Sequence, residues 1–279
     1  MATWLKIAGI SVLVWTVALL SHPGLTRAGT FSSADYAAVL QEFVNQESMV
    51  NYRGLKAKPQ KLQGYLQALA QLPAEDYQKW PPPQQIALWI DAYNALTLKA
   101  IIDHYPIKAT WVASLRFPKN SIRQIPGVWT KLRFPVMGRP MTLDEIEHAV
   151  LRKKFYEPRI HMALVCAALG CPPLRNEPYQ GEKLDRQLDD QARKFLANPQ
   201  KFRIDRQQKR VYLSPIFKWF GQDFVKTYGS TSDFSRFSPK ERAVLNFIQK
   251  HLPENDRDYL KKGDYSISYL TYDWSLNEQ

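Results

Sequence analysis

The run from Gln84 to about Tyr105 constrains this chain most. It carries Ile86, Leu88, Trp89, Ile90, Leu96, Leu98, Ile101 and Ile102, and is apolar nearly all round a helix. Such a helix has no face to give to water, so the rest of the chain must wrap it. Pro81-Pro82-Pro83 stops the preceding segment and suits a first helical turn, where a missing N–H leaves no bond unmade. Asp91 and Asn94 interrupt the apolar surface, three residues apart. Buried polar groups need partners. The pair is expected to hold a neighbouring loop, or to orient a catalytic group.

The chemistry concentrates in Pro158 to Arg175, which holds both cysteines of the chain and His161, with Arg159 and Arg175 at its ends. Ile160 to Leu169 is almost wholly apolar and is buried whether helix or strand. Pro172 after Cys171 fits a helix start, which would place Cys171 at a helix N-terminus and lower its thiol pKa. His161 and Cys166 are five apart, on opposite faces of a strand or about 140° apart on a helix. A base for Cys166 must then come from elsewhere. Two readings stand: inert or disulfide-bonded cysteines, the bond needing Cα atoms roughly 4.4–6.8 Å apart, or a reactive thiol.

Thr142 and Glu145 form a capping box ahead of a helix whose apolar face is Leu143, Ile146, Val150 and Leu151. Spacing at 100° puts Glu147 inside that face and His148 on its flank. Arg159 and Arg175 are the expected partners of Glu147. Asp144, four residues before His148, is placed to orient its imidazole. A base for a cysteine with a carboxylate behind it is one reading; a helix held by buried ion pairs is the other.

The first 28 residues read as a cleaved leader: Lys6, an apolar run from Ile7 to Leu20, and small residues ending at Ala28. An uncleaved N-terminal membrane anchor is the alternative. No later run is long and apolar enough to span, so the mature chain, 29–279, is expected to be extracytoplasmic. Removing the leader takes Lys6 and Arg27 and no acid, so the net charge falls from +12 to +10. An anionic or cell-envelope partner fits that charge. The basic residues are scattered and no nucleic-acid motif stands out, which argues against DNA or RNA. No phosphate-cradling glycine loop or metal-spaced His/Cys cluster is present, so no cofactor and no metal is expected.

Packing elements fill the remainder. Amphipathic helices are expected from Ser33 and over 59–72, joined by a turn at Asn51–Gly54, and again over 183–196. Hairpins are expected at 132–141 and 202–213. Ser214 and Ser238 precede prolines that open two further helices, and Tyr265 to Leu270 alternates like a strand. The fold class is therefore α+β: a helix-rich single domain with a small antiparallel sheet, its core over 80–225.

Three segments together carry a family resemblance: Trp89-Ile90-Asp91-Ala92-Tyr93-Asn94-Ala95-Leu96, Leu143-Asp144-Glu145-Ile146-Glu147-His148, and Arg159-Ile160-His161 through Cys166 to Cys171-Pro172-Pro173-Leu174-Arg175. They resemble the domain-of-unknown-function family 547, whose members include exported bacterial proteins. The ending Tyr272-Asp273-Trp274-Ser275-Leu276-Asn277 is similar to the way members end. Asp91 departs from the Asn found there in many members. The resemblance implies no established reaction. A papain-like order of Cys then His does not fit, because no histidine follows the cysteines until His251.

Two functions follow. One is a cysteine-dependent hydrolase or acyl transferase, with Cys166 or Cys171 as nucleophile, His148 as base and Asp144 or Glu147 as orienter. Asn94, Arg159, His161 and Arg175 would support the site or bind an anionic group. The other is a non-catalytic cell-envelope binding or scaffold module with structural cysteines.

Overall fold

The computed structural model describes residues 31–230 and 233–279; the leader expected at 1–28 lies outside the described residues. The predicted central helix runs Pro82–His104 and is buried without a break from Ile86 to Leu98. Tyr52–Ala57 and Gln60–Gln71 pack against it, as does the turn at Gly181–Lys183. Gly181 allows that last approach, since a Cβ there would meet the Gln84 backbone at 2.8 Å. A second core lies between Pro215–Tyr228, Pro239–Gln249 and a three-stranded sheet, with Phe195, Phe224 and Phe247 at its centre.

The α+β, helix-rich class holds, with one adjustment to the sheets. Phe134–Val136 and Arg139–Met141 make the expected hairpin, as do Phe202–Asp205 and Arg210–Leu213. Ser266–Tyr269 then joins Arg210–Leu213 in parallel, so that sheet is mixed and not purely antiparallel. Three helices, Pro215–Tyr228, Pro239–Gln249 and Glu254–Lys262, intervene in the chain between those strands, room enough for a parallel crossover.

Local signals mostly did what their chemistry dictates. The Ser238 hydroxyl and Glu241 form a full capping box, and Ser214 caps by accepting from the Ile216 N–H. Thr142 and Glu145 make both capping-box bonds, at 2.7 and 3.1 Å. Three expectations change. Ser33 makes no side-chain cap bond. Asn51 is no simple turn: its side chain accepts from the Gly54 N–H and starts the helix Tyr52–Ala57. Glu145–Leu151 is wound as a π-helix, so side-chain directions drift from 100° spacing.

The Pro158–Arg175 stretch departs furthest from expectation. A short 3₁₀ turn, Pro158–Met162, gives way to irregular chain with Ala167 at φ 58°, and no helix follows Pro172. Cys171 is therefore not at a helix N-terminus.

The C-terminal tail explains how such chain is held. Leu169 and Gly170 donate their N–H groups to Ser275 and Asp273 at 2.8 and 2.7 Å, and Asn277 donates to Ala167 at 3.2 Å. Tyr52 donates its hydroxyl to the Asn277 side chain at 2.6 Å. Gly170 presses on Tyr272 so closely that a Cβ would lie 2.6 Å from the ring. Lys201, 4% exposed, reaches in from the other side and donates to the Leu169 carbonyl. Among the described residues no helix is long and apolar enough to cross a membrane.

Lys201 gives the fold a pH signature. Burial pushes its amine down from 10.5 to about 8. Below pH 8 folded and unfolded chains both carry the proton, and the penalty for burying the charge stands in full. Between about 8 and 10.5 the folded chain releases the proton while the unfolded chain keeps it, so stability from this group rises with pH across that window. Urea unfolding at pH 7.5 and 9.5 should show the gain in the native chain, and Lys201→Met should flatten it by up to about 1.4 kcal/mol per pH unit. An unchanged slope in Lys201→Met would contradict the burial of a charged amine.

Candidate functional site

Asn94 begins the site. Its amide donates to the Ala163 carbonyl at 3.0 Å and accepts from the Val165 N–H at 2.9 Å. One buried side chain thus satisfies the backbone groups on either side of Leu164, just before Cys166 enters a cleft. Of the two roles left open for Asn94, holding a loop or orienting a catalytic group, these bonds are of the first kind.

The two sulfurs are bonded to each other, with Cα atoms 6.0 Å apart. The Cys171 sulfur accepts the N–H of Cys166 at 3.0 Å and of Ala168 at 3.4 Å. The Tyr272 hydroxyl lies 3.2 Å from each sulfur. Cys171 is buried and Cys166 half-buried at the cleft wall. The bridge closes a very short loop, worth about 2 kcal/mol on the chain-entropy account. Its larger effect is to shape the wall. A thiol nucleophile is not available while the bond stands, because neither sulfur carries a titratable proton.

The cleft has a volume of about 170 Å³. An engineered apolar cavity of about 150 Å³ holds benzene, so one six-membered ring fits here. Its walls are aromatic. Tyr272 packs on Trp219 and Trp274 with ring centres 4.9 and 4.6 Å apart, and Trp129 lies edge-on to Trp274 at 6.2 Å. Into this wall point Glu147, Tyr93 and His161. Burial first, then the Glu147 carboxylate, pushes the Tyr93 and Tyr272 phenols up. Both phenols are therefore hydrogen-bond donors at any ordinary pH. Glu147 reaches the cleft as its place on the apolar face implied, but Arg159 and Arg175 do not pair with it.

The imidazole of the cleft is His161, not His148. His161 stacks on Phe220 with ring centres 4.2 Å apart and meets Asp223 through Nε2 at 2.8 Å. Arg152 forks onto the same carboxylate at 2.6 and 2.9 Å. Burial raises the Asp223 pKa, but the bonds from His161 and Arg152 outweigh it and hold the carboxyl far below its ordinary range. His148 lies further out in the same chain of groups. Its Nδ1 faces Arg152 at 2.7 Å and its Nε2 faces Asp144 at 3.1 Å, so Asp144 does orient it. With both nitrogens engaged, and off the cleft lining, His148 is not placed to activate a sulfur.

The arginines sort by pairing. Arg159 meets Glu157, Asp185 and Asp189 within 2.8 Å. Arg175 meets Glu177 and Asp190, both at 2.5 Å. Both are held by carboxylates, and Asp185, Asp189 and Asp190 among these fasten the Leu184–Ala197 helix to the cysteine stretch, although Arg175 Nε stays without a partner among the described residues. Neither is available to an anionic ligand. Arg123, which no motif singled out, has no carboxylate partner among the described residues. It lies 4.4, 5.4 and 5.1 Å from the ring centres of Phe117, Trp129 and Trp274. Burial lowers its pKa.

Sequence reasoning missed Arg123, Asp223, Tyr93, Trp129 and Trp219. Asp223 had a signal: it is the one acid in the Phe-rich helix Pro215–Tyr228. Tyr272 and Trp274 stood in the C-terminal segment that carries the family resemblance, without an assigned role.

Residues 77–196 match the model of a family described as "Protein of unknown function, DUF547". The match takes in Asn94, Glu147, His161 and both cysteines; Tyr272 and Trp274 lie beyond it. No curated protein and no solved structure matches the chain.

The bridge itself is open to direct measurement. Protein unfolded in guanidinium without reductant should take up no iodoacetamide, and after reduction two adducts should appear by mass spectrometry, at Cys166 and Cys171. An adduct before reduction would contradict the bond.

Proposed function

We propose that this chain, whose residues 77–196 match the DUF547 family, is a ligand-binding module with a disulfide-walled aromatic cleft. Its ligand is a single-ring molecule bearing an anionic group. The observation that carries this reading is Arg123. It lies across aromatic rings at the cleft with no carboxylate partner among the described residues, in a chain whose Arg152, Arg159 and Arg175 all have carboxylate partners. Arg123 is exposed, so an anion from solvent can reach its guanidinium directly and pair with it.

The remaining groups fit the same ligand. Trp219, Tyr272 and Trp274 offer faces for a sugar or planar ring, and Glu147 accepts a hydroxyl. A uronic-acid unit of a cell-envelope polymer has this chemistry. That source is consistent with the leader read from residues 1–28 and with the basic net charge, and an extracytoplasmic location is part of the proposal.

A second reading rests on Cys166 and His161 lining one cleft with Asp223 behind the imidazole. A dithiol reductant that took up the oxidising equivalents would leave Cys166 and Cys171 as thiols and itself a disulfide. Cys166 would then be the nucleophile for acyl transfer, with His161 as base in place of His148.

Calorimetry separates the two. Galacturonate should bind more tightly than galactose, and Arg123→Gln should remove the difference, a loss of about tenfold for the acid. Equal binding of acid and neutral sugar, or no effect of Arg123→Gln, overturns the proposal. Turnover of p-nitrophenyl acetate that requires prior reduction, is lost in Cys166→Ser and drops in Asp223→Asn would favour the thiol reading instead.

A further inference from the structure

A second cavity, of about 480 Å³, shares no lining residue with the cleft. It lies against the buried helix at Asp91, whose carboxyl is 3% exposed. One Asp91 oxygen accepts the Tyr179 N–H at 3.1 Å; the other has no hydrogen-bond partner among the described residues. Tyr65 and Tyr179 line the same cavity, 1% and 5% exposed, and both hydroxyls lack a partner among the described residues. Behind them the Tyr36 ring stacks on Tyr65 at 4.8 Å, and its hydroxyl is unpartnered too. A buried hydroxyl without a bond costs about 1–3 kcal/mol. Several around one carboxyl are unusual in a packed interior.

The lining shows what would satisfy them. Among the described residues, the charged side chains at this cavity are Asp91 and Glu182, in a chain of net charge +12. No Lys, Arg or His faces it. Phe31 and Trp80 line the outer part, with ring centres 5.9 Å apart, and Phe31 is edge-on to Tyr65 at 5.7 Å. Phenol oxygens and a carboxylate are all acceptors, and aromatic faces attract cations.

We propose that this cavity binds a primary ammonium group, its three N–H donors shared among the Asp91 carboxylate and the Tyr65 and Tyr179 hydroxyls, with the ligand's carbon chain against Phe31 and Trp80. The bound cation supplies the countercharge that Asp91 lacks. In its absence burial pushes the Asp91 carboxyl well up, and nearby Glu177 adds to that.

Butylammonium and butan-1-ol share a shape and differ in the charged head, so calorimetric titration of the purified protein with each tests the site. Butylammonium should bind at least about tenfold more tightly than the alcohol. Asp91→Asn should abolish that preference. Tyr65→Phe should weaken butylammonium several-fold without lowering Tm, because the hydroxyl it removes has no partner in the protein. Equal affinity for amine and alcohol, no binding of the amine, or full amine affinity in both variants overturns the proposal. If Asp91→Asn fails to fold, Tyr65→Phe alone decides it.

Discussion

A buried amide cannot go unpaired, and Asn94 meets that constraint by gripping the chain on both sides of Leu164. The rest of the site depends on this grip. The stretch after Val165 has no ladder and no helix of its own, yet it must cross the interior. Its backbone groups are met one at a time: by Asn94, by the Cys171 sulfur, by the tail at Asp273 and Ser275, and by buried Lys201. Irregular chain can be buried only when every polar group is answered in this way. Gly170 has no side chain because Tyr272 occupies the space one would need.

Charge is sorted with equal economy. The carboxylates of Glu157, Asp185 and Asp189 take Arg159, those of Glu177 and Asp190 take Arg175, and Asp223 takes both Arg152 and His161. These pairs join the buried-helix half of the molecule to the sheet half. Removing one partner would strand the other in a poorly hydrated place, where an unpaired charge is costly. Not every charge is matched in this way: among the described residues Arg123 lies on aromatic rings without a carboxylate, Asp91 and Glu147 have no basic partner, and buried Lys201 bonds to a carbonyl.

The oxidation state of the sulfurs changes what the cleft can do. With Cys166 and Cys171 joined, the cleft offers shape, stacking, two phenol donors and a carboxylate, which is the equipment of recognition. His161 and Asp223 resemble the supporting half of a thiol catalyst, but their present task is explained by packing on Phe220 and by the Arg152 fork.

The amino-acid order alone determined the buried helix at Pro82–His104, the capping box at Thr142, the cap at Ser238 and both hairpins. Each is written within a few residues, by apolar periodicity, a cap or a turn. Tertiary structure decided the rest: that Cys166 and Cys171 bond, that His161 and not His148 faces the cleft, that Arg159 and Arg175 are spoken for while Arg123 is free, and that the parallel strand makes its sheet mixed. Some of those outcomes join groups far apart in sequence, such as His161 with Asp223 and Cys171 with Tyr272, 62 and 101 residues apart, whereas the Cys166–Cys171 bond and the arginine pairs join nearer ones. No local pattern records them, because each side chain's partner is chosen by which distant surfaces the buried helix brings together.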